Sequence, residues 1–265
     1  VWTYKNLSAA AAYIDESLRS FDWAVSSQEF DAERRRVRNL EIERRGGTRA
    51  DEVVVIGAHY DSVLGSKGAN DNASGVAALL ELARGFAERP PARTLRFVAF
   101  VNEEPPFFQT GEMGSLVYAR RARARGDRII AMLSLETIGC YSDADGSQQY
   151  PFPFGLFYPR RGDFVAFVGN FASRALVRQV VASFRRHAAF PSQGVAAPGG
   201  IMGIGWSDHW AFWQQGYPAV MVTDTALFRY AHYHLHSDTP DRLDYGRLAR
   251  VVEGLARAVE ELAGF

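Results

Sequence analysis

Four segments of the chain follow one pattern: a short apolar run that stops abruptly at acids or a histidine. EVVVIGAHYDS (52–62) ends in His59 and Asp61, and TLRFVAFVNEE (94–104) ends in Glu103 and Glu104. IIAMLSLETIG (129–139) ends in Glu136, and YPAVMVTDT (217–225) ends in Asp224. Short continuous apolar runs, rather than alternating ones, predict strands buried on both faces. Helical patterns separate them over 73–88, 114–126 and 171–187. Further amphipathic helices are predicted over 9–21 and 242–264, the second with a stripe through Leu248, Val251, Leu255, Val259 and Leu262. Val37, Leu40 and Ile42 alternate and predict an edge strand over 37–43, followed by a turn over 44–52. Strand alternating with helix implies an α/β fold: a single domain over 1–265, three-layer α/β/α, with a mostly parallel (mixed) central sheet. Such sheets bind ligands at the carboxyl ends of their strands, where this chain gathers its polar residues.

Two stretches lack either period. Residues 140–163 are crowded with aromatics and prolines, and residues 191–206 with glycines. Neither has the polar composition of a disordered linker, and long loops inside a domain usually serve function. No internal repeat or domain linker is evident.

Composition narrows the partners. The chain has 265 residues, 30 basic and 30 acidic, with zero formal net charge, so nothing points to nucleic acid. No apolar run is long enough to predict a membrane span. Cys140 is the only cysteine, which excludes an internal disulfide and a cysteine-based zinc site. The chain starts at Val1 with no signal peptide. A secreted or periplasmic location is favoured if a leader has been removed, a cytoplasmic one is the alternative, and the sequence leaves the compartment open.

The candidate chemistry lies at the strand ends. A lone histidine behind a strand is ordinarily a core or capping residue. Here Asp61 follows His59 by two positions, on the same side of an extended chain, where a carboxylate can orient a metal-ligating imidazole. GANDNASG (68–75) reads by itself as a helix start, yet it also brings Asp71 to the same sheet edge. Glu103 and Glu104 end an apolar run, so they are poorly explained as random surface acids. At a turning chain they can address two partners, one binding a metal and one moving a proton. HYHLHSD (232–238) adds three histidines at alternate positions, and WSDHW (206–210) adds His209. Gathering Asp71, Glu103, Glu104 and Glu136 in one crevice is costly unless cations neutralise them. Histidine and carboxylate donors suit two divalent ions, zinc foremost, with cobalt or manganese as substitutes. Paired ions about 3.5–4 Å apart serve hydrolases. The chain has no H-E-x-x-H, no G-x-S-x-G and no P-loop.

GAHYDS, GANDNASG, NEE, LETIG and YHLHSDTPD occur in the order and approximate spacing of the zinc aminopeptidase family. That family includes bacterial leucyl and Streptomyces-type aminopeptidases, the catalytic domain of glutamate carboxypeptidase, and glutaminyl cyclases. The resemblance spans about Asn39 to Tyr245. It implies that His59 and Glu136 ligate a first metal, with Asp61 orienting His59. It implies that Asp71 bridges two metals, that Glu104 and His234 ligate the second, and that Glu103 is the general base. Only the resemblance selects His234 over His236; spacing alone does not. Tyr233 is similar to a tyrosine that polarises the scissile carbonyl in some members. The family usually has Asp where this chain has Glu136, one methylene longer, which bears on rate, metal preference and substrate.

The activity implied is exopeptidase action on a peptide with a free N-terminus and an apolar first residue, with 140–163 and 191–206 walling the side-chain pocket. A one-zinc glutaminyl cyclase is the nearest enzymatic alternative, although cyclases tend to carry Trp at Tyr233. A carboxypeptidase for acidic peptides would need a basic pocket, hinted at only by PRRGD (159–163). A receptor-like binding domain would have lost its metal ligands, whereas every ligand position here holds a competent residue. Oligomeric state is not addressed by the sequence.

Overall fold

The computed structural model describes residues 4–88 and 90–265. Its eight strands form one mixed sheet in the order β1-β2-β4-β3-β5-β8-β6-β7. The four predicted apolar runs become β3 (Arg49–His59), β4 (Arg93–Phe100), β5 (Arg128–Glu136) and β8 (Ala219–Thr223). They are the sheet's centre, mutually parallel and buried on both faces, which is why their sequences are continuously apolar. All four therefore deliver their carboxyl ends to one edge.

The flanks differ from expectation. The segment predicted as an edge strand is β2 (Arg35–Arg44), and it is interior, paired antiparallel with both β4 and β1 (Ser26–Ala32). The edge itself is β1, whose side chains are largely exposed and so carry no apolar signal. The expected turn over 44–52 is shorter, because β3 already begins at Arg49. On the other side β6 (Val165–Gly169) runs antiparallel to β8 and parallel to β7 (Ser192–Ala196). Part of the stretch read as irregular, 191–206, is thus a strand.

Helices cover both faces. On one face lie α1 (Tyr4–Ser20), α2 (Gly75–Gly85), α4 (Arg174–His187) and α6 (Tyr245–Ala263), packed on Val54, Ile56, Leu95, Phe97, Val220 and Val222. On the other lie α3 (Gly114–Arg125) and the short α5 (His209–Gln214), packed on Val53, Val55, Val98 and Phe100. Beyond α5, among the described residues, this second face has no α-helix over β6 and β7, only a 3-10 turn at Phe154–Leu156. Loops around residues 150–158 and 198–206 cover it instead, around Phe164, Ala166, Val168 and Met221. No described helix is long and apolar enough to cross a membrane.

Candidate metal centre

Each functional side chain is set by the way its strand ends. β4 stops because Asn102 takes a left-handed backbone, with φ of 60°. Asparagine tolerates that conformation better than most residues. The turn points the amides of Glu103 and Glu104 at Asp61, whose two carboxylate oxygens accept them at 3.1 and 3.0 Å. Asp61 is therefore a brace for the two glutamates. His59 Nδ1 makes its closest approach to the Asp61 main-chain oxygen at 3.2 Å, while the Asp61 carboxylate is 3.6 Å away. The expected orientation of His59 by Asp61 is thus shared between its carbonyl and its carboxylate.

The 68–75 loop is a stitched segment rather than a plain helix cap. Asn72 donates to Leu135 O at 2.8 Å and accepts from Thr137 N at 3.0 Å, while Ser74 Oγ accepts from Ile138 N at 3.0 Å. Asn70 donates to Asp224 Oδ2 at 2.9 Å and accepts from Gly139 N at 2.9 Å. Asp238, fully buried, accepts Asn70 N at 2.8 Å and Asp71 N at 3.1 Å. Gly75 is required because a Cβ there would sit 2.5 Å from Leu135 O. These bonds lock Asp71 against the end of β5.

The result is convergence. His59 Nε2 lies 3.1 Å from Glu136 Oε2, 3.4 Å from Asp71 Oδ1 and 3.8 Å from Glu103 Oε2. His234 Nε2 lies 3.0 Å from Asp71 Oδ2 and 3.4 Å from Glu104 Oε2. Three overlapping groups have donor atoms close enough to hold an ion: His59–Asp71–Glu136, Asp71–Glu104–His234, and His59–Glu103–Glu104. Asp71 belongs to two of them and projects one oxygen toward each histidine. Glu136 is held further by Ser207 Oγ at 2.6 Å, so the longer side chain still reaches His59. The eight residues to which the family resemblance gives a role, Asp61, Glu103, Tyr233, His59, Asp71, Glu104, Glu136 and His234, meet here. Tyr233 stacks on His234 with ring centres 3.8 Å apart.

His209 does not take part. It is buried, its Nε2 lies 2.7 Å from Ile204 O, and burial pushes its pKa down to about 4, so it is a neutral core residue. His236 is exposed, and His232 Nδ1 faces Ser237 Oγ at 2.9 Å. Ser207, Asp208 and Asp238 are contributors that sequence reasoning missed. Asp208 is fully buried beside the centre, with neither carboxylate oxygen in a well-formed hydrogen bond and Ser115 its one polar side-chain neighbour that lowers its pKa by hydrogen bonding. Burial, reinforced by the neighbouring acids Glu136 and Asp61, pushes it up to about 7. Ser207 and Asp208 lie in WSDHW and Asp238 ends HYHLHSD, but nothing local in either motif shows which distant group each one meets.

The protein groups alone do not balance. Burial, then neighbouring acids, pushes Glu103 and Glu104 well above the usual carboxylate range, and burial raises Glu136 as well. Burial opposes ionisation of Asp71, yet His234 and His59 hold it below its usual value. Asp71 Oδ1 and His234 Nε2 are buried with no hydrogen-bond partner. Orphaned donor atoms facing one another across 3–4 Å, in a set of imidazoles and carboxylates, fit divalent cations of the zinc type.

Beside the centre an apolar cleft of about 90 Å³ opens. Glu136 and Tyr233 of the centre line it together with Phe154, Phe164 and Ile204, and no described Arg or Lys does. Parts of both irregular stretches, 140–163 and 191–206, form its sides.

Comparison with known proteins agrees with this geometry. The sequence pattern described as Peptidase family M28 matches residues 39–259. The uncharacterized protein YfbL of Escherichia coli (strain K12) is 41% identical over 259 residues, covering 94% of this chain and 79% of that one. The fold is shared with the Legionella pneumophila LapA aminopeptidase, with a TM-score of 0.74, 17% identity, and coverage of 98% of this chain and 65% of that one. It is also shared with the Bacteroides thetaiotaomicron glutaminyl cyclase, with a TM-score of 0.70, 16% identity, and coverage of 97% and 90%. The chain spans about half the length of the fungal leucine aminopeptidases it matches. A pattern match over most of the chain, on a sheet whose strand ends gather the matched acids and histidines, places this protein in peptidase family M28.

Proposed function

We propose that this chain is a co-catalytic two-zinc aminopeptidase that hydrolyses the N-terminal bond of peptides with an apolar first residue. The observation that carries the reading is a junction: Glu136 and Tyr233 belong both to the carboxylate–histidine cluster and to the apolar cleft. A substrate carbonyl at the cluster would have its own side chain in the cleft. His59, Asp71 and Glu136 would hold one ion, and Asp71, Glu104 and His234 the other.

Zinc bound there supplies positive charge that acidifies water and polarises a carbonyl oxygen. Glu103, whose carboxylate reaches the cluster without being needed in either set of ligands, takes the proton from the attacking water and delivers it to the leaving amine. Burial and the surrounding acids push the Tyr233 phenol far above its usual range, so it stays a neutral donor for the carbonyl oxygen. The acids around Asp71 and Glu136 favour a positively charged terminal amine over a blocked one.

A cleft without Arg or Lys disfavours a carboxypeptidase for acidic peptides. Glutaminyl cyclisation is the second reading, favoured by the 90% coverage of the Bacteroides cyclase. The two separate with three substrates. Leucine p-nitroanilide is expected to be hydrolysed, N-acetyl-leucine p-nitroanilide left intact, and glutaminyl-naphthylamide to yield no pyroglutamyl product. Cyclisation of the glutaminyl substrate without leucine hydrolysis would overturn the peptidase reading.

A further inference from the structure

The floor of the apolar cleft is one face of the sheet, and its register orders the residues by distance from the metal centre. Glu136 of β5 pairs with Thr223 of β8, Thr223 pairs with Ala166 of β6, and Ala166 pairs with Gln193 of β7. All four line the cleft. Paired residues on adjacent strands face the same side, so this is a single row that starts at a proposed metal ligand and runs across the sheet. Neighbouring strands lie about 4.8 Å apart, which puts Ala166 roughly 10 Å and Gln193 roughly 14 Å from the Glu136 strand. The next row of the floor, Met221, Val168 and Val195, pairs in the same way and is bulkier throughout.

Ala166 is the smallest side chain in its row. It sits where β-branched and aromatic residues are the rule, between Val165 and Phe167 in the same strand. Its methyl group leaves the row open past Thr223. The cleft it shares is lined by rings: Tyr150, Phe154, Tyr158, Phe164 and Phe228, with Phe164, Tyr150 and Phe154 in the same apolar cluster as Ala166. Rings on several sides favour an aromatic guest through edge-to-face contacts. Among the described residues no charged side chain other than Glu136 lines the cleft, so a lysine or arginine tip at its far end would lack an ionic partner.

Resting on the aminopeptidase reading above, we propose that Ala166 is the specificity-determining residue of the cleft, and that its small side chain admits long aromatic first residues, phenylalanine and tyrosine. A short first residue such as alanine ends before reaching Ala166 and leaves the far half of the cleft unfilled. Gln193 closes the row and offers the one side-chain amide at the far end, within reach of a phenol.

The test is kcat/KM for the p-nitroanilides of alanine, leucine, phenylalanine and tyrosine, on the zinc-loaded protein and on Ala166→Leu and Ala166→Val. The wild type is expected to prefer the aromatic pair. Ala166→Leu is expected to lower the phenylalanine-to-alanine ratio roughly 10- to 100-fold, mainly through KM, with Ala166→Val intermediate. Zinc uptake by each variant reports whether it has folded, and if Ala166→Leu takes up none, Ala166→Val decides. A wild type that prefers alanine, or a ratio unmoved in a folded variant, overturns the inference while leaving the aminopeptidase reading intact. A wild type that hydrolyses none of the four overturns both.

Discussion

Glu103→Gln lowers kcat for leucine p-nitroanilide by about three orders of magnitude and leaves zinc binding in place. Glutamine keeps the volume and the backbone hydrogen bond to Asp61, which involves Glu103 N and not its side chain. It cannot accept a proton. Each proposed ion keeps three protein donors without Glu103. The substitution also removes an acid that burial, and after it the neighbouring acids, push well above the usual carboxylate pKa, so the variant melts no lower than the wild type. The measurement is steady-state kinetics beside zinc content by atomic absorption. Loss of zinc together with activity would make Glu103 a ligand, as the third group, His59–Glu103–Glu104, allows geometrically.

Stripping the metal makes stability fall as pH rises. Burial raises the folded-state pKa of Glu103, Glu104 and Glu136 above the unfolded carboxylate value. Burial opposes the charging of His59, but Glu136 and Glu103 outweigh it and hold the imidazole well above 6.5. A group whose pKa is raised on folding binds its proton more tightly in the folded state. Its contribution is complete below the unfolded value and is lost as pH climbs through the folded one. All four groups have this sign, as does Asp208, pushed up to about 7; His209, pushed down to about 4, has the opposite slope, and five groups against one make the chelated protein more stable at pH 5 than at pH 8. Asp71 has the opposite shift, but its contribution is already complete above the ordinary carboxylate range, so it adds no slope between those pH values. Zinc replaces the protons, and its binding strengthens as ligands deprotonate. The gap in Tm between loaded and stripped protein therefore widens with pH, to roughly 10 °C at pH 8 for zinc at about a thousand times its Kd. A gap that stays constant, or a stripped protein that gains stability toward pH 8, would contradict this charge balance.

The parts legible in the sequence were those whose physics is local. A strand buried on both faces is continuously apolar, so β3, β4, β5 and β8 were readable, and their common direction put their ends at one edge. By contrast, β1 is mostly exposed, and β7, SQGVA, is partly exposed and interrupted by Gly194. Neither has a period to read. The five residues of β6 fall between an aromatic loop and a long helix and were passed over. The same division holds at the site. His59, Asp71, Glu103, Glu104, Glu136 and His234 were legible because they terminate elements or match a family motif. Asp238 and Ser207 act on Asp71 N and Glu136 across 167 and 71 positions, which no local pattern encodes. His209 misled for the same reason: its residue type suggests a ligand, and only packing shows a core position.

The most direct measurement is a zinc titration of the chelated protein, following bound zinc and leucine p-nitroanilide hydrolysis together. Both are expected to saturate at two equivalents, with Asp71 shared between the ions. Full hydrolysis at one equivalent, or two bound equivalents with no hydrolysis of any aminoacyl substrate, would contradict it.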